Sequence, residues 1–413
     1  MRVCYFGTYT MEECYPRNRV IIEGLRKNGV EVIECHAELW KGTSEKIEGI
    51  TDWFSVFRQS ARILRTYLNL IKQYRRVGNY DVLIVGYAGH IDIFLAKILN
   101  LFRKKPLIFD AFLSLYDTAV MDRKIVSRNS LKARLLWQVD RWACRVADAV
   151  LLDTQAHVDY FVREFRLPPE KFFAVPVGSS MKTQGNPPIS QIPLFPPLLK
   201  GEIGGFTVLY FGSYIPLHGV DVILKAAKIV QENKDNPPTP PLEKVSKGGF
   251  EHELSDKKEI VFTLVGTGQL LSEMKKLASG LELKNVIFID RFVSEAELVG
   301  YIQHADICLG VFGQTEKALR VIPCKVYNAL ALGKPLITAM TPATEGVLAH
   351  MDNAFLCRPG DPEDLAKAIL RLKNNSSLRG KIALCGQEYY RNNFSSEAIG
   401  KRVRDIIYTA AKR

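Results

Sequence analysis

The stretch ALRVIPCKVYNALALGKPLIT, Ala318 to Thr338, joins a basic loop, a helix start and a buried strand, and the fold can be read outward from it. Pro323 stands where a first helical turn tolerates proline, Arg320 and Lys325 flank that turn, and Val326, Leu330 and Leu332 recur at helical spacing. Gly333 then ends the helix, and Pro335-Leu336-Ile337 opens a strand. A helix start behind a basic loop offers unpaired backbone N–H groups and a partial positive charge, about 0.3–1 kcal/mol toward an anion and more when partly buried. A lysine contact to phosphate would add about 1.5–3 kcal/mol. The stretch therefore fits a diphosphate site, and an ordinary helix with proline in its first turn is the competing reading.

Similar units surround it. Short apolar runs at Val3 to Phe6, Val30 to Glu34, Val82 to Val85, Leu107 to Phe109, Ala149 to Asp153 and Phe173 to Val177 alternate with helical patterns such as Arg19 to Asn28. The pattern restarts at Thr207 to Phe211 and continues through Ile260 to Val265, Val286 to Ile289, Ile307 to Val311, Leu336 to Thr338 and Ala354 to Leu356. Strands alternating with helices predict two parallel α/β sheets in succession, and 413 residues with 47% hydrophobic content suit two domains. The expected boundaries are 1–182, a Pro/Gly-rich linker at 183–205, a second domain at 206–390 with an insert at 235–257, and a last helix, 391–413, returning to the first domain. Two segments, Asn186 to Phe206 and Asn236 to Phe250, both open with Asn-Pro-Pro and close with Gly-Gly-Phe, so both are expected to be surface loops.

Charge and cysteines narrow the function classes. Eight cysteines without a CxxC pair or a histidine at ligand spacing predict free thiols rather than a disulfide framework or zinc site. No signal peptide or membrane-length apolar run is evident, which leads to the expectation of a cytoplasmic protein. The net charge of +12 is concentrated between Trp53 and Val146. Within it, WFSVFRQSARILRTYLNLIKQYRR, Trp53 to Arg76, contains six basic residues and no acid, with Phe57, Leu64 and Leu68 on an apolar stripe. Such a helix fits an anionic membrane, with a core-facing helix and a solvated basic face as the alternative. No nucleic-acid motif accompanies the charge.

Glycine-bearing loops follow the strands, where an open α/β sheet binds ligands. Gly7 and Thr8 leave the first strand ahead of Arg17 and Arg19, without a GxGxxG fingerprint. Gly212-Ser213 precedes His218-Gly219, and Gly266-Thr267-Gly268 follows another strand. Taken in order with CKVYNALALGKPLIT and RPGDPEDLAKAI, these loops resemble the retaining glycosyltransferases of family 4, closely from about Thr207 to Leu372 and more loosely from Met1 to Ser179. The resemblance implies the GT-B fold, two Rossmann-like domains facing each other across a cleft. It also implies a nucleotide-diphosphate sugar held by the second domain and an acceptor hydroxyl met by the first. Several family members are peripheral membrane enzymes with lipid-linked acceptors.

Departures from the family pattern bear on the chemistry. Where the family carries Arg and Lys toward the donor diphosphate, this chain has Ser213 and His218, and where it carries two glutamates eight positions apart this chain has Arg320 and Asn328. Val321 to Tyr327 resembles a branch with Val-Ile-Pro-x-Lys-x-Tyr, in which the lysine faces the diphosphate, so Lys325 would supply the missing charge. Asn328 could hydrogen-bond a ribose hydroxyl, and Arg320 could bind phosphate. Phe292 corresponds to the nucleobase pocket, with core packing as the alternative. Gly7, Gly212, Ser213, His218, Gly266, Gly268, Phe292, Arg320, Lys325 and Asn328 are thus the expected donor residues. Asp110, His90 and Arg17 are the expected catalytic and acceptor-side residues, with helix capping or turn roles as alternatives, and Asp153 and His157 rank below them.

The resulting expectation is transfer of a sugar from a nucleotide-diphosphate sugar to an acceptor hydroxyl, lipid-linked or on a growing polysaccharide, with retention and without cofactor or metal. The competing functions are a nucleotide-sugar-binding protein without transferase activity and a nucleotide-sugar epimerase.

Overall fold

The computed structural model describes residues 1–11, 16–39, 60–181, 205–233 and 259–411. Residues 183–204 of the expected linker at 183–205, the expected insert at 235–257, and residues 53–59 of the expected basic helix lie outside the described residues. The chain forms two compact units: Met1–Ser180 with Leu319–Cys324 and Arg391–Arg413, and Met181–Ala318 with Lys325–Tyr390.

The first unit carries a parallel sheet of β1 (Arg2–Gly7), β2 (Glu31–His36), β3 (Val82–Val85), β4 (Leu107–Phe112), β5 (Ala149–Leu152) and β6 (Phe172–Ala174), in the order β2-β1-β3-β4-β5-β6. Strands such as VLIV of β3 are buried throughout, the pattern of a parallel sheet covered on both faces. One face packs α2 (Ser60–Arg76), α3 (Asp92–Asn100), α4 (Leu131–Val146) and α5 (Gln155–Phe165) through Leu70, Ile93, Ala143 and Phe161. The other packs α1 (Arg17–Lys27) with the C-terminal helix of the chain, Ser396–Ala411, through Val20, Leu25, Ile399 and Val403. Side-chain oxygens of Ser130 and Thr154 cap α4 and α5 by accepting the Ala133 and His157 N–H groups.

The second unit holds β7 (Phe206–Phe211), β8 (Ile260–Val265), β9 (Val286–Ile289), β10 (Ile307–Leu309), β11 (Leu336–Ala339) and β12 (Phe355–Cys357), in the order β12-β11-β10-β7-β8-β9. Its helices are α6 (Val220–Glu232), α7 (Leu271–Gly280), α8 (Glu295–His304), α9 (Cys324–Ala331), α10 (Pro362–Asn374) and α11 (Ser376–Asn393), and the helix Ser396–Ala411 is α12. Counted within the unit, the order is 3-2-1-4-5-6 from one edge, the dinucleotide-fold arrangement, in which all strands are parallel and the order of strand addition reverses between β7 and β10. Ligands bind such sheets beyond the carboxyl ends of the strands at that reversal.

Boundaries move by a few residues where tertiary contacts override the apolar runs. β4 continues to Phe112, so Asp110 sits inside the strand, beside a register shift against β5, rather than after it. β10 ends at Leu309 instead of Val311; Gly310, beyond it, passes so near Thr338 that a Cβ there would lie 2.3 Å from its Oγ1.

Candidate functional site

At the reversal in the second unit, β7 runs out through Gly212, whose φ of +133° favours glycine. A Cβ built there would lie 3.0 Å from Lys325 Nζ and 3.6 Å from His218 Cε1, so the glycine leaves the strand end open to both side chains. Lys325, in the first turn of α9, is buried, and its Nζ stands 3.9 Å from the Tyr210 ring centroid. Tyr210 Oη donates to the Ser213 carbonyl at 2.8 Å, and His218 Nδ1 meets that carbonyl as well as Tyr210 Oη. Asn328 follows Lys325 by three positions, on the same helical face. No acidic side chain stands in the first turn of α9. Together these place a buried ammonium and the positive end of a helix at the sheet's carboxyl edge, an arrangement suited to a diphosphate.

The neighbouring glycines serve backbone packing. A Cβ on Gly266 would fall 2.1 Å from the Gly212 carbonyl oxygen, and one on Gly268 would fall 2.5 Å from the Tyr214 nitrogen. Gly219 and Gly313 meet in the same way, joining the loops after β7 and β10. Phe292 follows β9 with its side chain 77% exposed, so it does not pack in the core, and its carbonyl accepts from Arg291 at 3.3 Å. Glu316 and Glu345 are exposed.

The remaining expected residues lie in the first unit. Gly7 abuts Asp92, whose carboxylate accepts the Thr8 N–H at 2.7 Å and the Tyr67 hydroxyl at 2.7 Å. Arg17 and Asp110 form a buried ion pair at 2.7 Å, 1% and 0% exposed, and Arg17 also donates to the Val175 carbonyl at 2.6 Å. Burial pushes the Asp110 carboxyl above its ordinary range, with Arg17 opposing. His90 Nε2 lies 2.9 Å from the Leu113 carbonyl and 3.5 Å from Asp140. Asp140 accepts from Ser114 Oγ at 2.6 Å and from the Tyr116 and Leu115 N–H groups, yet burial pushes its carboxyl up to about 7. Arg320, in the segment that belongs to the first unit, pairs with Asp117 at 2.8 Å and stacks 4.0 Å from the Tyr160 ring centroid. Its guanidinium is therefore engaged with a carboxylate and a ring. His157 Nδ1 meets Asp153 at 2.7 Å, with both side chains buried.

Sequence reasoning missed Tyr210 and Asp140. Tyr210 had a visible signal: its side chain shares a strand face with Val208, and it carries a polar end two residues before Gly212. Nothing local marks Asp140, which is one acid on an amphipathic helix until β4 is laid beside it.

Residues 202–388 match the family model described as Glycosyl transferases group 1. The match falls within the part of the chain that supplies Gly212, Ser213, His218, Lys325 and Asn328. The amylovoran biosynthesis glycosyltransferase AmsK of Erwinia amylovora is 21% identical over 147 residues, 35% of this chain and 36% of that protein. The lipopolysaccharide core biosynthesis glycosyltransferase LpsD of Rhizobium meliloti is 27% identical over 167 residues, 40% of this chain and 46% of its own. The chain thus spans less than half the length of these curated relatives. Among solved structures, Anabaena HepE in complex with UDP-glucose superimposes with a TM-score of 0.60 at 15% identity, covering 99% of this chain and 100% of that one. At that identity the likeness is one of fold, and it agrees with the two Rossmann-like sheets above. Among the described residues no group of His, Cys, Asp or Glu is placed to hold a metal, and no helix is long and apolar enough to cross a membrane.

Proposed function

We propose that this protein transfers a sugar from a nucleotide-diphosphate donor to an acceptor hydroxyl with retention at the anomeric carbon. The carrying observation is the buried Lys325 ammonium beside Gly212 at the strand reversal of the second unit. The donor diphosphate sits on Lys325 and the start of α9, with His218 and Ser213 beside it. Asn328 meets the ribose, and the backbone at Phe292 meets the base. As the C1–O bond breaks, its electron pair stays on the departing phosphate oxygen, where Lys325 and the helix dipole stabilise it. The acceptor oxygen bonds to C1 and its proton leaves with the diphosphate. Arg17, His90 and Asp110 act on the acceptor side; being buried, they hold the strand-end loops in place rather than touch the sugar.

The complex of the solved relative with UDP-glucose favours a uridine donor. The names of the curated relatives, amylovoran biosynthesis and lipopolysaccharide core biosynthesis, favour an acceptor on a polysaccharide or lipopolysaccharide. A second reading, donor binding without transfer, is favoured by Asn328 and by the engagement of Arg320 with Asp117. Incubation with radiolabelled UDP-sugars and a membrane extract separates them. Transfer of label to an extractable glycan or glycolipid supports the enzyme, whereas tight binding without transfer or hydrolysis supports the second reading. Failure of any nucleotide diphosphate to raise the melting temperature would sink both.

A further inference from the structure

The loop that leads into α9 is held by residues far from it in sequence. Leu319 to Pro323 is neither helix nor strand, and Leu319–Cys324 belongs to the first unit although the chain on both sides of it belongs to the second. Three contacts hold Arg320 there. Its guanidinium donates to Asp117 Oδ1 at 2.8 Å and stacks 4.0 Å from the Tyr160 ring centroid, and its carbonyl accepts from the Thr154 hydroxyl. Asp117 opens the short helical segment Asp117–Asp122 beyond β4, and Thr154 caps α5 beyond β5, with Tyr160 on that helix. The anchors therefore come from two segments that follow neighbouring strands of the first sheet.

What they anchor is the start of a short helix. α9 has eight residues, too few to be stable without outside contacts. Its first residue, Cys324, belongs to the first unit, and its second, Lys325, to the other. The Arg320–Asp117 pair is buried, the two side chains 10% and 1% exposed, and such a pair adds little stability over an apolar pair of similar size. It does fix direction. The ring sets the plane of the guanidinium, and the bond to Asp117 sets its rotation within that plane. Asp117 Oδ2 has no hydrogen-bond partner among the described residues, so the carboxylate holds the arginine through one directed bond. The arrangement suits placement of the chain better than added stability.

We propose that Arg320 is a positioning residue. Tied to Asp117, Tyr160 and Thr154, it sets where α9 begins, and so where Lys325 presents its ammonium to a diphosphate. Arg320 does not touch the donor, and it acts through the five residues of chain that separate it from Lys325. The inference rests on the reading of Lys325 as the diphosphate residue.

Calorimetric titration with UDP, paired with urea unfolding of the full chain, tests it. The variant D117N/R320M removes both charges, so neither is left buried alone, and its urea midpoint should stay near the parent's. Its UDP affinity should nevertheless fall by about tenfold, the lower end of what losing a charged contact to phosphate costs. Thr154→Val deletes the hydroxyl that holds the Arg320 carbonyl and should weaken UDP binding by about threefold, whereas Thr154→Ser keeps it and should bind as the parent does. Parent-like UDP affinity in D117N/R320M, beside weakened binding in Lys325→Met, overturns the positioning role and leaves the donor reading standing. Parent-like affinity in Lys325→Met overturns both. If the loss of affinity instead tracks a fall in the urea midpoint from variant to variant, the contacts serve the fold alone and the proposal is wrong.

Discussion

Replacing Lys325 by methionine separates a lysine placed for a ligand from one placed for the fold. Methionine keeps the length of the side chain and can rest its sulfur against the Tyr210 ring, so the main loss is the charge. On the stability side, a cation 3.9 Å from the ring centroid is worth up to about 2 kcal/mol when desolvated, but the same burial carries a desolvation cost of several kcal/mol. These oppose each other, and the folded state should change by no more than about 1 kcal/mol or gain stability. On the binding side, a charge-assisted contact to phosphate contributes about 1.5–3 kcal/mol, so UDP affinity should fall roughly 10- to 150-fold. Calorimetric titration with UDP and urea unfolding of the same preparation measure both quantities. If the variant binds UDP as the parent does and unfolds at clearly lower urea, Lys325 is a structural residue and the donor site has been misplaced.

Three further outcomes follow from particular contacts. Asp110→Asn leaves Arg17 buried without its carboxylate and should cost about 3–5 kcal/mol in denaturant unfolding, and a loss below about 1 kcal/mol would show that the pair matters little to the fold. Gly400→Ala would put a Cβ 2.0 Å from the backbone of Gly24 in α1 and should destabilise by about 1–3 kcal/mol despite the roughly 1 kcal/mol that alanine brings to a helix. The control Gly380→Ala, where a Cβ meets nothing within 4 Å, should be neutral or stabilising, and equal effects at the two sites would refute the packing account. Asp140, raised to about 7 in the folded state, holds a proton there that the unfolded chain has already released above about pH 4. Its contribution to stability is therefore greatest at low pH and declines as pH rises toward about 7, by up to about 1.4 kcal/mol per pH unit. Asp140→Asn should remove that part of the slope in urea unfolding between about pH 5 and about pH 7, and an unchanged slope would show that Asp140 is ionised throughout.

The strands were legible because a parallel sheet buried on both faces leaves continuous apolar runs, as at Val82–Val85 and Ile260–Val265, which the structure reproduces at both ends. The order of the loops pointed to Lys325 and Gly212 as candidate donor residues, and the structure brings the two side by side. What the chain did not disclose is pairing across elements. Arg17 and Asp110 are 93 positions apart, and Arg320 and Asp117 are 203 apart, so neither partner marks the other in any local pattern. The same holds for Gly266 and Gly268: they looked like ligand-facing turns, whereas the space they leave is filled by the Gly212 and Tyr214 backbone. Burial decides which acids face solvent, and no count of charges along Trp53 to Val146 could show that Asp92, Asp110, Asp117, Asp122 and Asp140 are buried.

The pairing of α1 with α12 sets an order in time. The first sheet is complete by Ala174, but one of its two faces is finished by Ile399, Val403 and Ile407, which are synthesised only after the whole second unit. Until then Val20, Ile21 and Leu25 have no cover on that side, while the whole second unit is being made. A nascent chain stalled before residue 391, or a recombinant fragment ending near Ser180, would present that apolar strip to its neighbours and tend to associate. Synthesis through α12 is therefore a condition for the solubility of the half that is made first.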